Sequence, residues 1–309
     1  MARQARVYNL PPLGRLRREG VTARRVFFFD QNDHDVAAII LSRRPGARPL
    51  LTVLRPGGGT PGPGISVRLT GTVWRELLAA SRHFDAPPPS MQSGEGQMVC
   101  FDSWLVHVEG LDPGHAPREA LRTTCPGGDA VSYAYWLARR AVALLPDCSR
   151  LEDRFFAGDI TRLNYCTRMR GDRPMAARAA NAAFALSMLD LPRDGEEAPS
   201  YFTEDVELDW NGERAVGRSA VVGRLLRAFA GRAGLAYRVE QFAGHADGSA
   251  EVEGALTANV QDDEDERLGY RVDLAPVTLH LRSQADGRFR IIRMRVDPFT
   301  RRVVGQPPR

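Results

Sequence analysis

The sequence predicts an α+β protein of two domains, and three observations carry that prediction. The chain has 309 residues, about twice the length of an ordinary domain. Its first half runs as strands followed by helices and changes character near residue 170. Its second half, 171–298, runs as a short helix, a strand closed by a turn, a second helix and then four or five strands. Apolar residues make up 43% of the chain and charged residues 26%, the balance of a soluble globular protein rather than a disordered one.

Residues 1–25 read as a basic N-terminal extension, and 26–170 as a small mixed sheet-and-helix domain. Val26–Phe29, Val36–Leu41 and Leu50–Leu54 are short runs of β-formers, the first two joined by the polar turn Asp30–Asp35. Pro56–Gly64 is glycine-rich, but no Lys-Ser or Lys-Thr follows it, so it reads as a connection and not as a phosphate cradle. Ile65–Leu69 alternates as a strand. Val73, Trp74, Leu77 and Leu78 then fall at helical spacing behind Thr70 or Thr72 as cap, and Pro87–Pro89 stops that helix. Met98–Val108 is a second β region whose alternation slips near Asp102, the mark of a bulge. Residues 129–145 form the best helix of this half, ended by Pro146. Gly171-Asp172-Arg173-Pro174 supplies a cap and an N-terminal proline for the next helix, which places the division between domains near residue 170.

Residues 171–300 make the second domain, and 301–309 a tail. An alanine-rich helix spans 175–189. Val206, Leu208 and Trp210 alternate as a strand, and Asn211-Gly212 turns it. Ser219 is placed to cap a helix whose face is Val221, Val222, Leu225, Leu226 and Phe229. Strands follow at 235–243, 250–260, 268–282 and 288–296, with Ala246-Asp247-Gly248 and Ala285-Asp286-Gly287 as hairpin turns. Gln261–Glu266 is acidic but lacks the glycine and spaced acids of a calcium loop.

This order of elements, with the segment Tyr201-Phe-Thr-Glu-Asp-Val-Glu-Leu-Asp-Trp-Asn-Gly-Glu-Arg-Ala-Val-Gly-Arg-Ser-Ala-Val-Val, resembles the nuclear transport factor 2-like superfamily and, within it, the SnoaL-like and ketosteroid-isomerase-like domains. The resemblance implies a curved antiparallel sheet folded around helices into a cone with an apolar pocket inside. It implies no single activity, because the fold hosts isomerases, cyclases, dehydratases and non-catalytic modules. Enzymes of this kind use a pocket carboxylate as base beside a hydrogen-bond donor, and the position matching theirs by its spacing to Gly212 is Asp209. Side chains alternate along a strand, so Asp209 and Glu207 share the face opposite Val206, Leu208 and Trp210. With the apolar set lining the cone, Asp209 points to solvent.

The preferred reading is therefore non-catalytic: an apolar small molecule, or a protein partner, held by the cone. Trp210, Tyr237, Tyr270 and His280 are its candidate ligand-binding residues. Trp210 and Tyr237 supply apolar wall with a polar tip, and His280 falls on the more polar face with Thr278 and Arg282. The alternative is a SnoaL-like isomerase, cyclase or dehydratase with Asp209 as general base. No Gly-x-Ser-x-Gly, His-Glu-x-x-His, dinucleotide or P-loop pattern occurs, and His34, His83, His107 and His115 show no metal-ligand spacing, so no metal and no cofactor is expected. Ile291, Ile292, Met294 and Val296 cannot all face one interior on a regular strand. That surplus apolar face motivates a homodimer.

Net charge is +4, from 42 basic and 38 acidic residues dispersed along the chain, so nucleic-acid binding is not expected. No apolar run reaches the roughly 18–20 residues that cross a bilayer, so membrane insertion is not expected, and the basic start lacks a signal peptide's apolar core. As written, the chain reads as cytoplasmic; an upstream signal would make it exported. Cys100, Cys125, Cys148 and Cys166 have no CxxC spacing, which argues against zinc. They are either buried thiols of a cytosolic core or the disulfides of an exported domain. The pattern Cys-Phe-Asp-Ser-Trp-Leu-Val-His-Val-Glu (100–109) with Cys125, Tyr133-Ala-Tyr135 and Leu145-Pro-Asp-Cys148 resembles uncharacterised exported proteins of alphaproteobacteria, and that resemblance favours disulfides. The nearest pairs are Cys100 with Cys125 and Cys148 with Cys166.

Overall fold

In a computed structural model the chain divides into two compact units. One is built from Met1–Ser149 and Phe156–Thr167, the other from Arg150–Phe155 and Arg168–Arg309. The structure describes residues 7–29, 35–56, 64–82, 104–124, 128–156, 158–187, 196–230, 236–260 and 270–304. Cys100, Cys125, His34, His83, the slip at Asp102, the triple proline and the acidic loop Gln261–Glu266 lie outside them. No helix among the described residues is long and apolar enough to cross a membrane.

The first unit is an antiparallel sheet with helices. Its strands are β1 (Thr22–Phe29), β2 (Asp35–Arg43), β3 (Leu50–Leu54), β4 (Ile65–Arg68), β5 (Leu105–Leu111) and β6 (Arg118–Thr123), in the order β4-β3-β2-β1-β5-β6. Strand β1 lies at the centre and is buried on both faces from Ala23 onward. It begins at Thr22, ahead of the apolar run at Val26, because both Arg24 and Arg25 find partners inside the unit. Arg24 donates to Ser81 Oγ (2.9 Å), to Leu111 O (3.1 Å) and to the Asp112 carboxylate (3.0 Å). Arg25 projects to the opposite face and pairs with Glu109 at 3.1 Å. The stretch read as an extension thus contains structure: helix α1 (Leu13–Arg18) buries Leu13 and Leu16 against Val21, Ala23 and Leu111. Thr70 caps helix α2 (Gly71–Ala80), accepting from Val73 N at 3.3 Å.

Helix α3 (Asp129–Leu144) buries the stripe Val131, Ala134, Leu137, Ala138, Ala141 and Val142. The short helices α4 (Pro146–Ser149) and α5 (Asp159–Cys166) follow. A disulfide joins Cys148 to Cys166, and Arg162 donates to Cys148 O (3.1 Å) and Ser149 O (3.0 Å), holding the same corner.

The second unit is an eight-stranded curved sheet with two long helices. Strands β7 (Met169–Gly171), β8 (Phe202–Trp210), β9 (Glu213–Val216), β10 (Ala236–Gly244), β11 (Ser249–Val260), β12 (Tyr270–Ser283) and β13 (Phe289–Val296) run in the order β7-β10-β11-β12-β13-β8-β9, and β14 (Thr300–Val304) pairs with β12. The contacts of β7 with β10 and of β13 with β8 are parallel; the rest are antiparallel. Residues read as a tail therefore supply part of a strand. Helix α6 (Arg173–Ser187) packs on β10 and β11, and helix α7 (Arg218–Ala230) on β8 and β9. Asp172 caps α6, its Oδ1 accepting from Met175 N at 3.0 Å. For α7 the first turn closes on Gly217, whose carbonyl accepts from Val221 N at 3.0 Å, so Ser219 lies inside the helix and not at its cap.

Two local irregularities set the curvature. In β10 the pairing shifts at Glu240, so Val239 and Phe242, three positions apart, both point inward and are both buried. In β13 it shifts at Ile292, which leaves Phe289, Ile291, Met294 and Val296 buried together. Strand β13 has one apolar face and not two, because a single inserted residue reverses its phase. The surplus face that motivated pairing between chains is not there. Pro276 sits where β12 changes partner from β13 to β14. Its carbonyl accepts from Asp297 N at 2.9 Å, and N–H and C=O of one strand residue point the same way, so its missing donor falls in the gap between those strands.

Two consequences can be measured. A Cβ at Gly244 would collide with Asp172 O, Ala176 N and Met175 Cβ, at the place where Asp172 N donates to Gly244 O at 2.8 Å. Gly244→Ala is expected to cost about 1–3 kcal/mol in urea unfolding; an unchanged midpoint and slope would contradict this packing. The Cys148–Cys166 bridge spans a sequence separation of 18, worth about 3 kcal/mol in the chain-entropy account. Denatured protein without reductant should therefore show the same number of reactive thiols before and after Cys148→Ala/Cys166→Ala. Loss of two reactive thiols in the variant would mean the bridge does not form.

Candidate functional site

The inner face of the second sheet, on which α6 and α7 pack, is apolar across its width. In-register pairs carry one row of residues over five strands: Val239 on β10, Gly254 on β11, Val277 on β12, Val296 on β13 and Trp210 on β8. Val239, Val277 and Val296 are buried, as are the neighbouring Leu208, Leu256 and Leu279 and the helix residues Val221 and Leu225. Strands lie about 4.8 Å apart, so the row spans roughly 19 Å of sheet.

Gly254 is the one position of that row without a side chain. A Cβ there would meet Tyr237 Cε2 at 2.8 Å and also Arg238 O, so the ring of Tyr237 lies over a position that only glycine leaves open. The Tyr237 hydroxyl is buried and has no hydrogen-bond partner among the described residues. Burial, reinforced by the nearby Glu240 carboxylate, pushes its phenol well above the usual tyrosine range. It is therefore a neutral donor in apolar surroundings. At the other side Trp210 is half-buried, with its ring centroid 6.4 Å from that of Phe299.

The remaining candidates lie elsewhere. Asp209 is on the opposite face, in register with Arg214 and Arg295, and its Oδ1 accepts from Gly212 N at 2.9 Å, closing the Asn211-Gly212 turn. Asn211 and Gly212 take the positive φ that this turn requires. His280 is also on the outer face, partly exposed, with its Nδ1 3.5 Å from Glu251 Oε2. Tyr270 pairs with Val304 through its backbone, and its side chain lies outside the described residues. The structure thus brings Trp210 and Tyr237 to one face and separates Asp209 and His280 from them. Gly254 and Phe299 join the site without having been singled out; a lone glycine within a strand pattern was the signal for the first.

Comparison with known proteins adds a partial likeness. No family model matches the chain, and no curated protein matches it. Among solved structures it is similar to a ketosteroid isomerase-like protein from Erwinia carotovora atroseptica (18% identity, TM-score 0.32), covering 40% of this chain and 94% of that one. A DUF4783 family protein from Bacteroides uniformis is 16% identical, with a TM-score of 0.26, over 40% of this chain and 94% of its own. A protein of unknown function with a cystatin-like fold from Nostoc punctiforme is 20% identical, with a TM-score of 0.30, over 39% and 87%. Neighbours of the nuclear transport factor 2-like and ketosteroid isomerase-like kind thus match about two fifths of the chain. At these scores the likeness carries no argument about activity.

The first unit holds a second polar centre that sequence reading passed over. Arg25, Glu109 and His107 are 2%, 3% and 5% exposed and share one face of the sheet. Arg25 also donates to Pro11 O at 2.6 Å, His107 stacks on Phe27 with centroids 5.6 Å apart, and His107 Nε2 lies 3.8 Å from Glu119. His107 Nδ1 and Arg25 Nε have no hydrogen-bond partner among the described residues. Burial pushes the Arg25 and His107 pKa values down and that of Glu109 up; the Arg25–Glu109 pairing opposes the shift in both partners, and Glu119 opposes it in His107. No group of three or more metal-ligating side chains occurs among the described residues.

The depressed His107 pKa has a definite sign. The unfolded chain binds this proton near pH 6.5 and the folded one only at lower pH, so stability is lost as pH falls below about 6.5. Glu109, raised by burial, contributes with the opposite sign in the carboxylate range, so the difference between wild type and His107→Gln isolates the histidine. The variant is expected to show a flatter fall of Tm between about pH 7 and 5.5; parallel profiles would contradict a buried, neutral His107.

Proposed function

We propose that the inner face of the second unit binds an apolar small molecule, with the Tyr237 hydroxyl giving the one directional hydrogen bond. The observation that carries this reading is that hydroxyl: a buried donor with no partner among the described residues, set over Gly254 on an otherwise apolar surface. Buried polar groups are nearly always satisfied, so an unpaired donor calls for an acceptor from outside. A ligand with an apolar body and a carbonyl or ether oxygen fits. Trp210 would close the far wall, its ring supplying contact area at little entropic cost. Asp209 has no part in this reading, because its carboxylate is engaged with the turn on the opposite face. The Cys148–Cys166 disulfide supports a further element, that the protein works in an oxidising compartment.

Prodan, a neutral naphthalene with a ketone oxygen, is a suitable probe because its fluorescence reports transfer to an apolar site. Saturable binding to the full chain is expected. Trp210→Ala should weaken it by roughly 2–4 kcal/mol and Tyr237→Phe by about 1 kcal/mol, while Asp209→Asn leaves it unchanged. Affinity that collapses with Asp209→Asn and survives Trp210→Ala would reject binding at this face and favour the carboxylate as a base. No saturable binding would reject the proposal outright.

A further inference from the structure

The geometry points to a second ligand site in the same unit, an arginine-lined groove that takes a small molecule with an oxyanion head. The groove has a volume of about 410 Å³ and shares none of the Tyr237–Trp210 floor. One wall is helix α6, where Arg178, Asn181, Ala182 and Ala185 fall on one stripe at helical spacing. The two alanines keep that wall low. The other wall is made by Ser200 and Tyr201, by the turn Gly287–Phe289 and by Arg154.

Charge decides what the groove would hold. Three guanidinium groups line it, against the single carboxylate of Glu152. Glu152 is taken by Arg154, at 2.8 Å. Asp286, on the same turn as Arg288, is taken by Arg290 at 2.7 Å. The guanidinium groups of Arg178 and Arg288 have no ion-pair or hydrogen-bond partner among the described residues; the backbone of Arg288 is engaged in the turn, its N donating to Asp286 Oδ1 at 3.0 Å. The turn also lets Arg178 reach across: its Nη2 is 4.0 Å from where a Cβ would stand on Gly287, which has φ +75°. Tyr201 adds a half-buried phenol that stays protonated, since desolvation and Glu197 both push its pKa up against the pull of Arg154.

Two uncommitted guanidiniums and a phenol donor stand between low apolar walls, and the one carboxylate in the groove, Glu152, is already held by Arg154. Guanidinium forks suit phosphate and carboxylate oxygens in the same way. The volume falls in the range of metabolite-sized pockets, so the ligand is a small molecule and not a polymer backbone.

Titration calorimetry of the full chain at low salt tests this with two probes, sodium pyrophosphate and sodium citrate. Saturable binding of at least one is expected, and the stronger identifies the head group as phosphoryl or carboxylate. Arg178→Ala and Arg288→Ala should each weaken it about tenfold, Arg178→Lys less, and the double variant should abolish it. Arg17→Ala, which removes an equal charge from an exposed site in the other unit, should leave it unchanged, as should Trp210→Ala, which keeps this site distinguishable from the apolar one. Because the two arginines are exposed, their variants should melt as wild type does, and Arg288→Ala decides alone should Arg178→Ala not fold. Absence of saturable binding of both probes, or equal weakening by Arg17→Ala, would overturn the proposal.

Discussion

A strongly curved sheet must keep one face apolar along strands that bend, and in this protein two inserted residues meet that constraint. Regular alternation fixes which face each side chain takes, so bending a long strand without a phase change would turn half of its apolar residues outward. The shift at Glu240 keeps Val239 and Phe242 on one side of β10, and the shift at Ile292 does the same for Ile291 and Met294 of β13. The inner row from Val239 to Trp210 depends on both. So does the polarity of the outer face, where Asp209, His280 and Arg293 lie on neighbouring strands. Without its shift, β13 would carry Arg293 and Arg295 in phase with Ile291, and β10 would turn Phe242 away from Val239.

The first unit meets a different constraint. Its central strand carries adjacent arginines, and alternation sends them to opposite faces. Each is buried, so each needs an anchored acceptor. Arg24 gathers the end of α2 through Ser81 and the end of β5 through Leu111 and Asp112. Arg25 gathers Glu109 and the backbone of Pro11. One dipeptide thus ties the sheet to a helix on one side and to the N-terminal segment on the other. Buried pairs of this kind add little net stability compared with apolar residues, but removing one partner alone costs several kcal/mol because a charge is stranded.

Much of this was legible in the residues. Alternation put Val206, Leu208 and Trp210 on one face and Asp209 on the other, and Asn211-Gly212, Asp247-Gly248 and Asp286-Gly287 announced turns that the structure contains. The bulges were not legible at Ile292, because two adjacent isoleucines read equally well as an exposed apolar face. Pairing across the sheet decides between the two, and pairing is not local. The buried arginines were not legible either: charge next to Val26-Phe27-Phe28-Phe29 reads as a solvated strand end until Glu109 and Asp112 arrive from residues far along the chain. The place of Trp210 on the inner face could be read from its alternation with Val206 and Leu208. The close approach at Gly254 could not, since what a glycine leaves room for depends on Tyr237 two strand positions diagonally across.

The central claim is that the inner face of the second sheet is a ligand floor, and methyl NMR of the full chain titrated with Prodan tests it most directly. The account predicts that the methyl resonances of Val239, Leu256, Val277 and Val296 shift and saturate together. Shifts confined to exposed apolar groups such as Leu121 and Val216, which are 60% and 56% exposed, would contradict it.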